Sequence, residues 1–371
     1  MMKRRLLLGL MSAAAVAALL PPLPALAARE AARDAEVMAG MVRTHILPRL
    51  DALVAATAQS AERLERFAAA PSPAGLEACR EAHGAVWDAW EGVQHLRPGP
   101  LMAGLRADRF SFWPERPGVV QRQIGTLLHN RDPKLLEPGA LGRQSAAVQG
   151  LTVLERLLFD EGVTAADFDG DDARRYRGAL AAAAGRNLAA IAAELRADWA
   201  AMEAPLAANR QTALGPDATW ALNALFTAAI TQVQVITDQK LLAPLGADLA
   251  SAKPAVAEAL RSGRSVRNIA LNLQALRGLM LGENGGPGYT ALLPGTPDGS
   301  NAREAIDAAL ADALMAVEAI PGPLPQAVAD AGRRKAVERA LRAVKGVRAE
   351  IVVTMAPLLD ITLGFNELDG D

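Results

Sequence analysis

Histidine and glutamate are the side chains best suited to hold a metal ion or move a proton, and in this chain one of each falls on an apolar helical stripe. His45 continues the line of Met38, Met41 and Val42 at i+3, i+4 and i+7 spacing, and Glu155 lies in line with Val148, Leu151 and Leu158. A carboxylate aimed into a core needs a partner, because burying an unpaired charge is costly. A histidine so placed is more often a hydrogen-bonded core residue than a ligand. On facing bundle helices, however, His45 and Glu155 could ligate a divalent metal, together with donors that the pattern does not identify.

A third stripe joins Leu76, Cys79, His83, Trp87 and Trp90, then runs on into Gln94 and Arg97. Cys79 and His83 read as core packing. Arg97 reads as a buried cation aimed at a carboxylate or an anionic ligand, with an internal salt bridge as the alternative. His95 sits about 100° off this stripe and is expected to face away from that core. His129, near a helix end, reads as a surface residue favoured by the helix dipole. All four histidines precede residue 130, so any histidine-dependent site belongs to the N-terminal half.

The elements that must position these residues are helical almost throughout, since 3.6-residue periodicity recurs and strand alternation does not. Abundant alanine with only 4% aromatic residues suits closely packed helices. The expected helices span 33–68, kinked at Pro48, then 76–95, 118–129, 143–160, 171–208, 218–241, 253–281, 301–318 and 325–360, with Gly364 as a terminator. Between the second and third lies a proline-rich loop, 97–118, long enough to be functional. The segment 209–217 loses the apolar stripe and contains Gly215-Pro216. It is expected to link two all-α bundle domains, 28–208 and 218–371. Leu151, Leu154, Leu157 and Glu161 are echoed by Leu273, Leu276, Leu279 and Glu283, a pattern that fits internal duplication or chance equally well.

Residues 1–27 read as a cleavable export signal: Lys3, Arg4 and Arg5, an apolar run from Leu6 to Leu20, and a small-residue step ending at Ala27. The mature chain is then expected outside the cytoplasm with no membrane span. Loss of the three cations takes the net charge from −2 to −5, which gives no reason to expect nucleic acid as a partner. Cys79 is the only cysteine, so no internal disulfide can form. Metal-protease, nucleophile-elbow and phosphate-loop signatures are missing. The cluster Asp167-Phe168-Asp169-Gly170-Asp171-Asp172 does not fit a calcium loop and reads as a solvated turn with a helix cap.

The segment Gly150-Leu151-Thr152-Val153-Leu154-Glu155 resembles the G-x-H-x-x-E signature of imelysin-like proteins. The order of other segments is similar too: His45-Ile46-Leu47-Pro48, then His95-Leu96-Arg97-Pro98-Gly99-Pro100, then Phe112-Trp113-Pro114, and an ending Leu363-Gly364-Phe365-Asn366-Glu367-Leu368-Asp369-Gly370-Asp371. The resemblance implies two helical-bundle domains with a site near their interface, and an envelope role in iron acquisition or, for some members, peptidase activity. Gly150 and Glu155 match the signature while Thr152 stands at its histidine. Gln94, Arg97, Trp113 and Thr152 are expected to form a ligand-binding or structural network. Three functions follow: a non-catalytic protein of metal acquisition, a metallopeptidase using Glu155 and His45, or a module that docks an envelope protein through the 97–118 loop.

Overall fold

The computed structural model describes residues 23–361. Residues 1–22, with most of the export signal, and 362–371, with Gly364 and the C-terminal segment of the resemblance, lie outside the described residues. Among those described there is no strand; one isolated bridge, Thr212 to Gly215, is the sole β pairing. No described helix is long and apolar enough to cross a membrane.

Helix α1 spans 23–69 without a break, and α2 covers Pro73–Glu91. In place of a sharp kink at Pro48, α1 carries a π-helical segment, Val42–Ile46. Proline has no N–H to donate and its ring crowds the carbonyl four residues back; one wider turn relieves both. The same solution recurs twice. Helix α7 (218–245) has a π segment at Val235–Leu242 before Pro244, and the last helix has one at Glu350–Met355 before Pro357.

The expected loop 97–118 contains the short α3 (Arg106–Phe110), after which come α4 (Val119–Asn130), α5 (Gly150–Phe159) and the long α6 (Asp172–Ala207). The fourth expected helix starts late because Ala146–Val148 forms a 3-10 turn, so α5 begins only at Gly150. Asp171 caps α6 by accepting from the Arg174 N–H at 3.0 Å, and Asp167 closes a capping box with Thr164, as a solvated turn and cap require. Past the 209–217 segment, Asn209 and Asp217 accept from the first N–H groups of α7. Then follow α8 (Ser265–Leu281), α9 (Pro297–Glu318), α10 (Leu324–Ala329) and α11 (334–358).

Both halves share one continuous apolar core. Polar contacts also cross between them: Thr219 donates to Asp34 at 2.7 Å, Arg49 makes a forked pair with Glu283, Arg267 grips Asp88, and Gln232 donates to Gln94 at 3.1 Å.

Helix α5 begins at a residue that only glycine can serve. Gly150 has φ of 77°, and a Cβ there would run into the backbone carbonyls of Arg109 and Phe110. Gly150→Ala should therefore lower stability by roughly 2–4 kcal/mol, read as a shift in the midpoint of urea unfolding; an unchanged midpoint would show that α5 is not wedged against α3.

Candidate functional site

Thr152, Glu155 and Arg156 stand at i, i+3 and i+4 on α5 and so share one face, which looks onto a cavity of about 560 Å³. Its other walls come from Trp87 on α2, the Trp113–Gly118 stretch of the proline-rich loop, Ala243 near the end of α7, and the 253–261 segment ahead of α8. The loop is fixed over the C-terminal half by Trp113 Nε1, which donates to the Val256 carbonyl at 3.3 Å.

Four of the five charged groups in this cavity, Glu155, Arg156, Glu115 and Arg261, have a partner, and Lys253 at its edge has none among the described residues. Glu155, 4% exposed, accepts from Ser262 twice on Oε1, from the backbone N–H at 2.9 Å and from the hydroxyl at 2.6 Å. Burial pushes its carboxyl above the usual range, and the Ser262 hydrogen bonds and Arg261 only partly oppose this. Arg156 pairs with Glu115, and Arg261 with Asp160 at 2.5 Å. The Thr152 hydroxyl makes only a long contact, 3.4 Å, with the Phe112 carbonyl.

A smaller cavity of about 160 Å³ adjoins the first and shares Trp113 and Pro114 as wall. Gln94, Arg97, Trp90 and Ser111 line it. The polar end of the α2 stripe therefore does reach a cavity, and Trp113 joins it to the one beside Thr152 and Glu155. Arg97 is half-buried where the sequence suggested full burial.

His45 is elsewhere. Its π segment turns the ring into the core, fully buried, where Nε2 lies 2.8 Å from Nε2 of His95. Its Nδ1 lies 2.7 Å from Glu283 Oε1. His95 is thus buried, 1% exposed, where it was expected to face away. The helical repeat fails there because α2 ends at Glu91. Turn hydrogen bonds, Val93 to Trp90 and Leu96 to Val93, carry the chain back across its own end and swing His95 inward. His129 is exposed, Cys79 and His83 are core, and Trp87 Nε1 donates to His83 Nε2 at 3.0 Å.

The sequence reading missed the most deeply buried charges. Lys240, from the π segment of α7, places Nζ 2.7 Å from Glu91 Oε2, 2.8 Å from Glu258 Oε2 and 2.8 Å from Asn272 Oδ1. These acceptors match the three N–H groups of an ammonium. Asn268 donates to Glu258 at 3.0 Å, and Asn272 to the Glu91 carbonyl at 2.9 Å. Two carboxylates around one lysine leave an excess negative charge, and burial with the nearby Glu258 charge lifts the Glu91 carboxyl to about 8. A signal was available: Glu91 follows Trp87 by four residues, and Lys240 continues Val233 and Ile236 on an apolar stripe. Glu258 lies in irregular chain and gives none.

As for a metal, no three His, Cys, Asp or Glu side chains converge on one point among the described residues. His45 and Glu155, the expected ligand pair, are held by separate partners. The cavity offers a metal ion one carboxylate already engaged by Ser262, a threonine hydroxyl, and cations on either side. A resident metal does not fit this donor set.

What fold and site define is an all-α protein with a polar-edged cavity where its two halves meet. The chain belongs to the imelysin family: the model for that family, described as peptidase M75, imelysin, matches residues 46–351. An imelysin-like protein from Psychrobacter arcticum 273-4 has a similar fold, with a TM-score of 0.74 at 19% identity over 90% of this chain and 98% of that one. A putative iron-regulated protein A precursor from Parabacteroides distasonis ATCC 8503 is similar with a TM-score of 0.72 at 13% identity, over 88% and 95% of the two chains. Among curated proteins none matches.

Two measurements follow from this geometry. Lys240→Met would leave two carboxylates buried with no cation, so it should cost roughly 3–5 kcal/mol, and adding Glu91→Gln should recover part of that loss. Calorimetric midpoints that match the parent protein's would mean the lysine is dispensable. Burial holds His45 low, holds His95 well below the usual histidine range and takes His83 to about 3, so all three rings are neutral in the fold at pH 7. The unfolded chain takes up those protons near pH 6.5, so stability falls as pH drops from there, by up to roughly 1.4 kcal/mol per pH unit for each ring. His83→Gln should flatten this slope in urea unfolding between pH 7 and 5; identical slopes would contradict neutral burial.

Proposed function

We propose that this chain is a non-catalytic binding protein of the periplasm, exported by its N-terminal signal, that serves iron or metal acquisition by holding a ligand in the cavity between its halves. The observation that carries this is the state of the signature pair. Thr152 brings a hydroxyl where the family pattern has an imidazole, and one oxygen of Glu155 is held by both donors of Ser262. The pair is therefore built to stabilise a wall and not to activate water. The cavity beside it, at about 560 Å³, has the size of a small-molecule site. The iron-regulated name of one structural neighbour supports the link to iron, and its description as a precursor supports export. The division into domains 28–208 and 218–371 belongs to the same proposal, with the ligand between them and an envelope protein as the partner that receives it.

Growth on limiting iron tests this reading. A strain lacking the chain should grow poorly at low iron and recover on excess iron, and the Glu155→Ala protein should restore growth only weakly. Equal growth of deletion and parent under iron, copper and zinc limitation would refute a role in metal acquisition. Chelator-sensitive cleavage of a peptide library, lost in Glu155→Gln, would establish a metallopeptidase instead.

A further inference from the structure

The charge and hydrogen-bonding state of the cavity identify the class of ligand it takes. Its body is apolar, walled by Trp87, Trp113, Pro114, Pro117, Val256 and Leu260. Of its charged lining, Arg156 is paired with Glu115 and Arg261 with Asp160, which leaves Lys253 as the cation without an ion-pair partner beside the buried Glu155. Glu155 is committed to Ser262 and lies in a setting that disfavours its ionised form. Lys253 is exposed at the edge and forms no ion pair with any described residue.

The second observation concerns Arg156. It is 7% exposed and bound to Glu115 through Nη2, yet its buried Nε N–H has no acceptor. Across the same pair, Glu115 Oε2 is buried and has no donor. Guanidinium nitrogens only donate and an ionised carboxylate only accepts, so each orphan asks for one kind of group. A buried donor and a buried acceptor left unmet each carry a desolvation cost, which a ligand bearing the complementary atoms would recover.

Building on the binding reading above, we infer that the cavity takes an organic carboxylate: an anionic head between Arg156 and Lys253, with an apolar or hydroxylated body against the tryptophans. A hydroxyl or amine beside the carboxylate would donate to Glu115 Oε2. A bare divalent cation is disfavoured, because it would meet the Lys253 cation and no set of three donors. A metal would then enter as cargo, already complexed by an organic acid. The free carboxylate and its metal complex present the same head group to the protein, and the experiment separates them.

The test is titration of the full mature protein, followed by tryptophan fluorescence and calorimetry, with phenylacetate, its neutral match phenylacetamide, citrate, ferric citrate, and ferrous sulfate alone. The expected result is binding of at least one carboxylate, about tenfold or more tighter than phenylacetamide, and weakened severalfold by Lys253→Ala. The paired variant Arg156→Gln with Glu115→Gln removes both orphans without leaving a buried lone charge, and it should abolish binding while the thermal midpoint stays high. Carboxylate binding with no preference for the ferric complex upholds this ligand class and removes support for metal as cargo. Amide binding equal to carboxylate binding, no carboxylate binding by about 10 mM, or saturable binding of ferrous iron alone that depends on Glu155 would each overturn the inference; the last would leave a metal-acquisition role standing.

Discussion

The Lys240 ammonium is the point on which the rest of the molecule depends. A charge taken wholly out of water survives only if every donor is met, and the three acceptors that meet it come from three places: Glu91 at the end of α2, Glu258 in irregular chain, and Asn272 on α8. Helix α2 belongs to the first half of the sequence and the other elements to the second. The halves therefore cannot separate without stranding charge, and their apolar surfaces are held in one core. Buried charge of this kind supplies little net stability but selects one arrangement over its alternatives, because any sliding of α2 against α8 breaks several hydrogen bonds together.

The proline-linked π segments are the local device that makes this arrangement possible. In an uninterrupted α-helix the extra residue would be absent and every later side chain would rotate by about 100°. The widened turn before Pro48 delivers His45 to His95, and the one before Pro244 delivers Lys240 to its acceptors. Here backbone chemistry at one proline decides which side chains meet tens of residues away.

Charge satisfaction also shapes the cavity. Glu155 is marked out by both the sequence pattern and the structure, yet its surroundings give it a supporting place: Ser262 holds it from the opposite half. The groups left without partners at the cavity are Arg156 Nε and Glu115 Oε2, one step along the helix and across the loop. Unmet polar atoms point to the chemistry of the ligand more directly than the signature does, since native interiors rarely leave such atoms orphaned.

Much of the architecture could be read from residue order alone. Helical periodicity, the α2 stripe and the burial of His45, Glu155 and Trp87 follow from 3.6-residue spacing, a property of local backbone geometry that does not need a partner to be known. The imelysin signature was legible for the same reason, being a short contiguous run with Gly150 at a position no other residue could fill. Tertiary structure alone decided which buried polar groups meet. Periodicity says that a side chain points inward but not what stands opposite, so the pairing of His45 with His95, of Glu155 with Ser262 and of Lys240 with Glu91 and Glu258 could not be foreseen. His95 and Glu258 lie where helices have ended and the repeat no longer applies. Those pairings come from residues as far as 149 positions apart, brought together by packing.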